Sequence, residues 1–315
     1  MKFDYIGMLG GLALFLYGMS MMSEGLESMM GQRMAYVLER LTDTKWKAVF
    51  VGTVITALIQ SSSAMTVMLI GFVNAKLMPL QRAVWVILGA NIGTTITGQM
   101  LTLDIARYAP FLAIVGVILI FTSHYQNIGQ AIGGIGLLFM GLDMMSLSME
   151  PLKNSAFFLL LLQYATHPIF GIFIGSLFTG IIQSSSASIG ILQALARQGI
   201  VTLEQAAYLI FGFDIGTCVT GLIASLSGHK NSQRLALFHL IINIFGTIVF
   251  SILCLCTPMI NIMQLSSTHV VNQIANFHTF FNVGTTLLVL MFDRFLLQIV
   301  YWILPQNNSM KKIKK

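Results

Sequence analysis

Long apolar runs dominate the chain, and the polar residues that interrupt them recur in a pattern. Runs at 5–22, 109–122 with its flanks, 128–146, 235–258 and 280–304 approach the roughly 20 residues a helix needs to cross a bilayer. Two other stretches, 47–100 and 168–225, are as apolar but are cut by glycines and polar clusters, so they fit no clean set of full spans. Between the first run and the first cut stretch lies SEGLESMMGQRMAYVLERLTDTK. Its charged residues alternate with apolar ones at helical spacing, which predicts an amphipathic helix at the membrane interface. HKNSQR, 229–234, reads as the most water-exposed interior loop. The pattern predicts an all-α polytopic membrane protein with no separate soluble domain.

The chain also repeats itself. Shifted by 123 residues, GGLALFLYGMSMMSEGLE (10–27) falls on GGIGLLFMGLDMMSLSME (133–150), and 52–100 falls on 175–223 without a gap. Shared apolar composition does not place Gln60 on Gln183, Gly93 on Gly216, Thr94 on Thr217 and Thr97 on Thr220. The reading divides the chain into repeat 1 (1–123), repeat 2 (124–246) and C-terminal transmembrane helices with a basic tail (247–315). Each half carries a span, a Gln-Ser-Ser-Ser break and a second break, GANIGTTITG or GFDIGTCVTG. Arg33, Arg40, Lys45 and Lys47 follow the first span, whereas only Lys153 follows its counterpart. The positive-inside bias puts the first loop in the cytoplasm and the second outside. That predicts inverted-topology repeats with re-entrant or broken helical hairpins.

Composition sharpens this picture. Charged residues make up 9% of the chain and hydrophobic ones 56%, against about 25% charged in a soluble domain. The net charge is +6, but four lysines sit in the terminal KKIKK, so the excess reads as a cytoplasmic anchor and not a nucleic-acid surface. Cys218, Cys254 and Cys256 suggest neither a disulfide framework nor a metal knuckle. The first apolar run lacks a small-residue cleavage site and reads as a retained span.

What can the tetrads do? Broken helices survive in hydrocarbon only where protein or a watery cavity surrounds them. Two breaks related by inversion would meet near the midplane, where repeat-built transporters hold substrate. Serine hydroxyls donate to an anion or coordinate a cation. Helix N-termini at the breaks favour an anion, and glutamine oxygens and backbone carbonyls suit a hard cation such as sodium. No arginine or lysine lies in either tetrad or either IGT motif. A bound oxyanion is then neutralised mainly by cations and dipoles, which is the physical basis of cotransport. The alternative for one serine cluster is packing through small residues; two copies in register favour a composite site.

These motifs resemble the type II sodium/phosphate cotransporters and their bacterial relatives. The resemblance rests on Gln60–Ser63 with GANIGT (Gly89–Thr94), and on Gln183–Ser186 with GFDIGT (Gly212–Thr217). FHLIIN (Phe238–Asn243) and FHTFFN (Phe277–Asn282) look like the family's H-x-x-x-N segments. The resemblance covers nearly the whole chain and implies sodium-driven phosphate transport across a cell membrane, with a bacterial inner membrane favoured by the short chain and bare tail. Some bacterial relatives carry a PhoU-like C-terminal domain; the resemblance is to a short member, expected to run to KKIKK without one. The composite site expected is Ser61, Ser62, Ser63, Ser184, Ser185 and Ser186 for phosphate. Gln60, Gln183, Asn91, Thr94, Asp214 and Thr217 are expected for sodium. Two departures stand out. Asp214 occupies the place of an asparagine, and FLAIV near Phe111 replaces an H-x-x-x-N segment in the first repeat.

Other residues carry blander readings. Asp214 in an apolar stretch is costly and reads as a sodium or proton site, with a helix cap as the alternative. No basic residue lies within a helical turn of it in sequence, so bound sodium is its expected partner. Asp104 and Arg107 are spaced to form an interfacial ion pair, and Asp143 reads as structural. His239/Asn243 and His278/Asn282, each spaced i, i+4, read as buried polar packing. Gly129, Gly133 and Gly136 read as close helix packing. No cofactor and no transition metal is expected, only coupling sodium ions. The expected partners are inorganic phosphate, sodium and lipid, with no nucleic acid; monomer and homodimer stay open. Phosphate efflux and transport of another tetrahedral oxyanion are the neighbouring alternatives. An intramembrane serine hydrolase lacks a nearby base and a Gly-x-Ser-x-Gly elbow. A passive channel fits two half-sites less well than alternating access does. The chain is therefore expected to be no enzyme.

Overall fold

The computed structural model describes residues 4–31, 33–122 and 124–305, with the side chains of Arg33 and Ala35 left aside. The basic tail KKIKK lies outside the described residues. Helices run in the order α1 (Tyr5–Met30), α2 (Arg33–Arg40), α3 (Lys45–Ile59), α4 (Ser62–Asn74), α5 (Leu80–Met100), α6 (Ala109–Ile120) and α7 (Gln126–Ser148). They continue as α8 (Ala156–Ala165), α9 (Pro168–Ile182), α10 (Ser185–Arg197), α11 (Leu203–Ser225), α12 (Lys230–Cys256), α13 (Met259–Gln264) and α14 (Val270–Ile303). Among the described residues no strand occurs. Five helical stretches are long and apolar enough to cross a membrane, and α8 with α9 forms a sixth candidate bent by 111°. The chain is an all-α polytopic membrane protein.

Glycines set the helix pairs. Gly11 of α1 lies against Gly141 of α7, Gly18 against Gly134, and Gly25 against Asn127 and Ala131. Numbers rise along one helix as they fall along the other, so α1 and α7 pack antiparallel. A methyl group at any of these positions would run into the partner's backbone, which is how small residues bring membrane helices together. Gly129 and Gly136 do the same for α7 against α6, and Gly133 lies between Met21 of α1 and Gly116 of α6.

The two cut stretches resolve into matching sets. The bounds of α3, α4 and α8 fall on those of α9, α10 and α2 under the 123-residue shift to within two residues, and α5 starts where α11 starts. The packing follows. Gly52 meets Val86, Gly89 meets Val49 and Gly93 meets Thr53; in the other half Gly175 meets Leu209, Gly212 meets Ile172 and Gly216 meets Ser176. The expected second breaks are absent: Asn91-Ile-Gly-Thr and Asp214-Ile-Gly-Thr lie inside the continuous helices α5 and α11. The glycines there serve close packing on α3 and α9, not a break in the helix. HKNSQR is a loop only as far as His229: His229, Lys230 and Asn231 are exposed, but Ser232 and Arg234 are buried. Lys230 begins α12, and Arg234 is 1% exposed, its guanidinium donating to Leu304 O at 2.8 and 2.9 Å and lying 4.5 Å over the Tyr301 ring. It satisfies a carbonyl left open at the end of α14.

Candidate transport site

Two backbone turns create the site. Helix α3 ends at Gln60 (φ 59°, ψ 19°) and α9 at Gln183 (φ 58°, ψ 24°), both left-handed. This conformation is uncommon for a residue with a side chain and clusters where function holds it in place. The next residues, Ser61 (φ −144°, ψ 104°) and Ser184 (φ −145°, ψ 106°), are extended N-caps. Their hydroxyls accept from Ala64 N at 3.1 Å and Ala187 N at 3.2 Å. Each cap satisfies one open N–H of its helix and leaves others at the N-terminus without a partner in the helix. Ser62 and Ser185 stand at the first helical positions.

There the two halves meet. Ser62 and Ser185, Asn91 and Thr94 of α5, Asp214 and Thr217 of α11, and His239 and Asn243 of α12 line one small cavity of about 10 Å³, close to the space of a single water. All eight are at most 7% exposed. Thr94 Oγ1 is buried without a hydrogen-bond partner in the protein, which is costly for a hydroxyl in a dry site.

A polar chain runs beneath the cavity. Asn91 Nδ2 donates to Asn243 Oδ1 at 2.8 Å, and Asn243 Nδ2 donates to Asp214 O at 3.0 Å. His239 Nε2 lies 3.1 Å from Asn91 Oδ1. That oxygen only accepts, so His239 carries its proton on Nε2, and its Nδ1 accepts from Thr66 Oγ1 at 3.5 Å. The Asp214 carboxylate takes Asn282 Nδ2 at 2.8 Å on Oδ2 and faces His278 Nε2 at 3.4 Å from Oδ1. A partner for Asp214 thus comes from the protein itself, on α14, 64 residues away in sequence; sequence neighbourhood gave no sign of it.

The predicted residues divide three ways. Ser62, Ser185, Asn91, Thr94, Asp214 and Thr217 line the cavity. Ser61 and Ser184 cap helices. Gln60, Ser63, Gln183 and Ser186 are not among its lining. Gln60 Oε1 accepts from Thr97 Oγ1 at 2.6 Å and its Nε2 donates to Ala57 O, whereas Gln183 is exposed. His239 and Asn243 were read as packing, yet they line the cavity, and His278 and Asn282 hold its carboxylate. Their repeated i, i+4 spacing was the signal. The Asp104–Arg107 ion pair is absent among the described residues; Asp104 instead shares a separate polar cavity with Asp143 and Arg197.

The Na+/Pi-cotransporter family model matches residues 14–147 and 143–266. The chain belongs to that family. It is 31% identical to an uncharacterized Bacillus subtilis protein, YqeW, over 92% of this chain and 95% of that one. It is 28% identical to the Salmonella typhimurium "Putative inorganic phosphate export protein YjbB", over 90% of this chain and 53% of the relative, so it spans about half of YjbB. A stretch of 99 residues, 30% of this chain and 14% of the relative, is 29% identical to human sodium-dependent phosphate transport protein 2B. No solved structure matches. The family, YjbB and the human protein are named for phosphate transport or export, and those names point to a membrane transporter rather than an enzyme.

Proposed function

We propose that this family member is a secondary active transporter that couples sodium ions to inorganic phosphate movement. One observation carries the reading: Ser62 and Ser185, at the N-termini of two helices with matching bounds, line the same buried cavity as Asp214. Open N–H groups and hydroxyls at helix N-termini suit an oxyanion. Asp214 adds negative charge to the same space, and no lysine or arginine lines it. Phosphate alone would be repelled there. Sodium near Asp214, with Thr94, Thr217 and Asn91 as oxygen donors, removes the repulsion and makes each ligand's binding depend on the other. Gln60 and Gln183 stand outside the lining and are not needed for this sodium site.

The antiparallel packing of α1 against α7, helices that hold equivalent places in the two halves, supports the inverted-repeat arrangement. A symporter runs in either direction according to its gradients, so the export named for YjbB is the second reading. A bacterial inner membrane with a cytoplasmic C-terminal tail fits both. The deciding assay is radiolabelled phosphate movement in proteoliposomes with and without a sodium gradient. Uptake that an inward sodium gradient accelerates supports symport; movement indifferent to sodium overturns the coupling, and no phosphate movement in either arm overturns the substrate.

A further inference from the structure

The two breaks share a backbone but not a hydrogen-bond state. On the first, Thr97 Oγ1 donates to Gln60 Oε1 at 2.6 Å and lies 3.2 Å from Ser186 Oγ, which in turn donates to Gln60 O at 3.4 Å. Thr97 is fully buried and Gln60 is 5% exposed. This cluster ties the second hairpin's tetrad to the first hairpin's break. The 123-residue shift maps it onto Thr220, Gln183 and Ser63, residue type for residue type. None of the equivalent bonds exists. Thr220 Oγ1 is buried without a partner, and Gln183 is exposed with no side-chain hydrogen bond among the described residues. The backbone angles at Gln60 and Gln183 agree within 5°, so the difference lies in how the breaks sit against α5 and α11, and not in the turns.

We propose that Gln60–Thr97–Ser186 and Gln183–Thr220–Ser63 are two gates that form alternately on either side of the transport cavity. The structure is the state in which the first is shut and the second open. Shutting the second supplies Thr220 with the partners it lacks, and opening the first gives Gln60 the exposure that Gln183 has here. Equal chemistry in the two clusters keeps the two states close in free energy, as exchange between them requires. Thr97 and Thr220 are positioning residues: they hold the glutamines and touch no substrate. The proposal rests on the transport reading for its purpose, but its test does not use phosphate.

In a background with Cys218, Cys254 and Cys256 replaced by serine, the pairs Thr97→Cys/Ser186→Cys and Ser63→Cys/Thr220→Cys are oxidised in proteoliposomes. Both pairs are expected to form disulfides. A reporter cysteine at Ile182 should react with maleimide when the first pair is locked and be protected when the second is. A reporter at Ile59 should do the reverse. Failure of the Ser63/Thr220 pair to cross-link while the Thr97/Ser186 pair does, or reporter reactivity indifferent to either lock, overturns the proposal. Thr97→Val and Thr220→Val keep side-chain shape and serve where a cysteine pair fails to fold. They should move Ile182→Cys reactivity in opposite directions, by about three- to tenfold each, the range expected for one hydrogen bond. Movement in the same direction overturns the proposal. Absence of phosphate movement in the unmodified protein would leave these results standing and refute only the transport reading.

Discussion

Helices α5 and α11 begin 123 residues apart, pack on α3 and α9 through equivalent glycines, and present Asn91 and Asp214 at the same position. The scaffold is common to both halves; the charge is not. The difference extends to the helices behind them. In the second half α12 carries Arg234, His239 and Asn243 into the interior. Its first-half equivalent, α6, is twelve residues long, places Phe111, Gly116 and Ile120 at those positions, and packs through Gly116 on Gly133 of α7. The second H-x-x-x-N segment comes instead from α14, outside the repeat. His239 of α12 reaches Asn91 in the first half, and His278 of α14 reaches Asp214 in the second. Symmetry of backbone is thus completed by an element that symmetry of sequence does not supply.

The largest expected effects fall where the halves are most alike. Ser62→Ala and Ser185→Ala should each cut coupled phosphate uptake on the order of ten- to a hundredfold, since losing one partner of a desolvated ion costs about 1–3 kcal/mol or more. The two losses should be of similar size, with unfolding midpoints close to the parent's. Near-normal uptake by both purified variants would break the composite site.

Next come the positions where the halves differ. Asp214→Asn makes them alike. If the carboxylate holds sodium, apparent sodium affinity should fall several-fold or fewer sodium ions should move per phosphate. If it holds a proton, pH dependence should vanish with sodium affinity intact. An unchanged profile in both respects would leave Asp214 a structural partner of Asn282 and His278. The reverse change, Asn91→Asp, places a second carboxylate on the cavity wall and should weaken phosphate binding by repulsion.

A smaller effect concerns stability. Arg234→Leu orphans Leu304 O at the end of α14 and should cost about 1–3 kcal/mol, seen as a lowered thermal midpoint in detergent. Phe111→Leu, at the equivalent first-half position and 65% exposed, should stay within about 0.5 kcal/mol. Equal midpoints for the two variants would remove Arg234 from the list of differences.

Much of this was legible in the sequence because membrane helices obey few rules. Apolar length located the spans of α1, α7, α12 and α14, and the repeated tetrads located the breaks at Gln60 and Gln183. The continuity of α5 and α11 was not legible. Asn-Ile-Gly-Thr reads as a break when glycine is taken as flexible, yet Gly93 and Gly216 are there because Thr53 and Ser176 press against them. Nor was the setting of Asp214, whose partners His278 and Asn282 approach through packing of α14 and not through local spacing. Arg234 misled for a related reason: its charge marks a loop by composition, but a buried guanidinium is tolerated where carbonyls at a helix end receive it.

The last prediction perturbs the protein least and asks whether the halves are opposed in the membrane. Lys47 and Phe170 hold equivalent places in the first turns of α3 and α9. Phe170 is 51% exposed, and the Lys47 side chain is 59% exposed in an ion pair with Asp43 at 3.0 Å. That pair is solvated and screened, so breaking it has little effect on folding; Phe170 gives up mainly surface contacts with Tyr164 and His167. Single cysteines at the two positions, in the background without native cysteines, should therefore report orientation without altering it. The proposed inversion of the repeats, which the antiparallel contact of α1 with α7 supports, requires one half to be turned over relative to the other. In sealed vesicles an impermeant maleimide should label one position from outside and reach the other only after the membrane is opened. Labelling of both from the same face would mean that the halves run parallel, and the meeting of Ser62 with Ser185 at one cavity would then need another explanation.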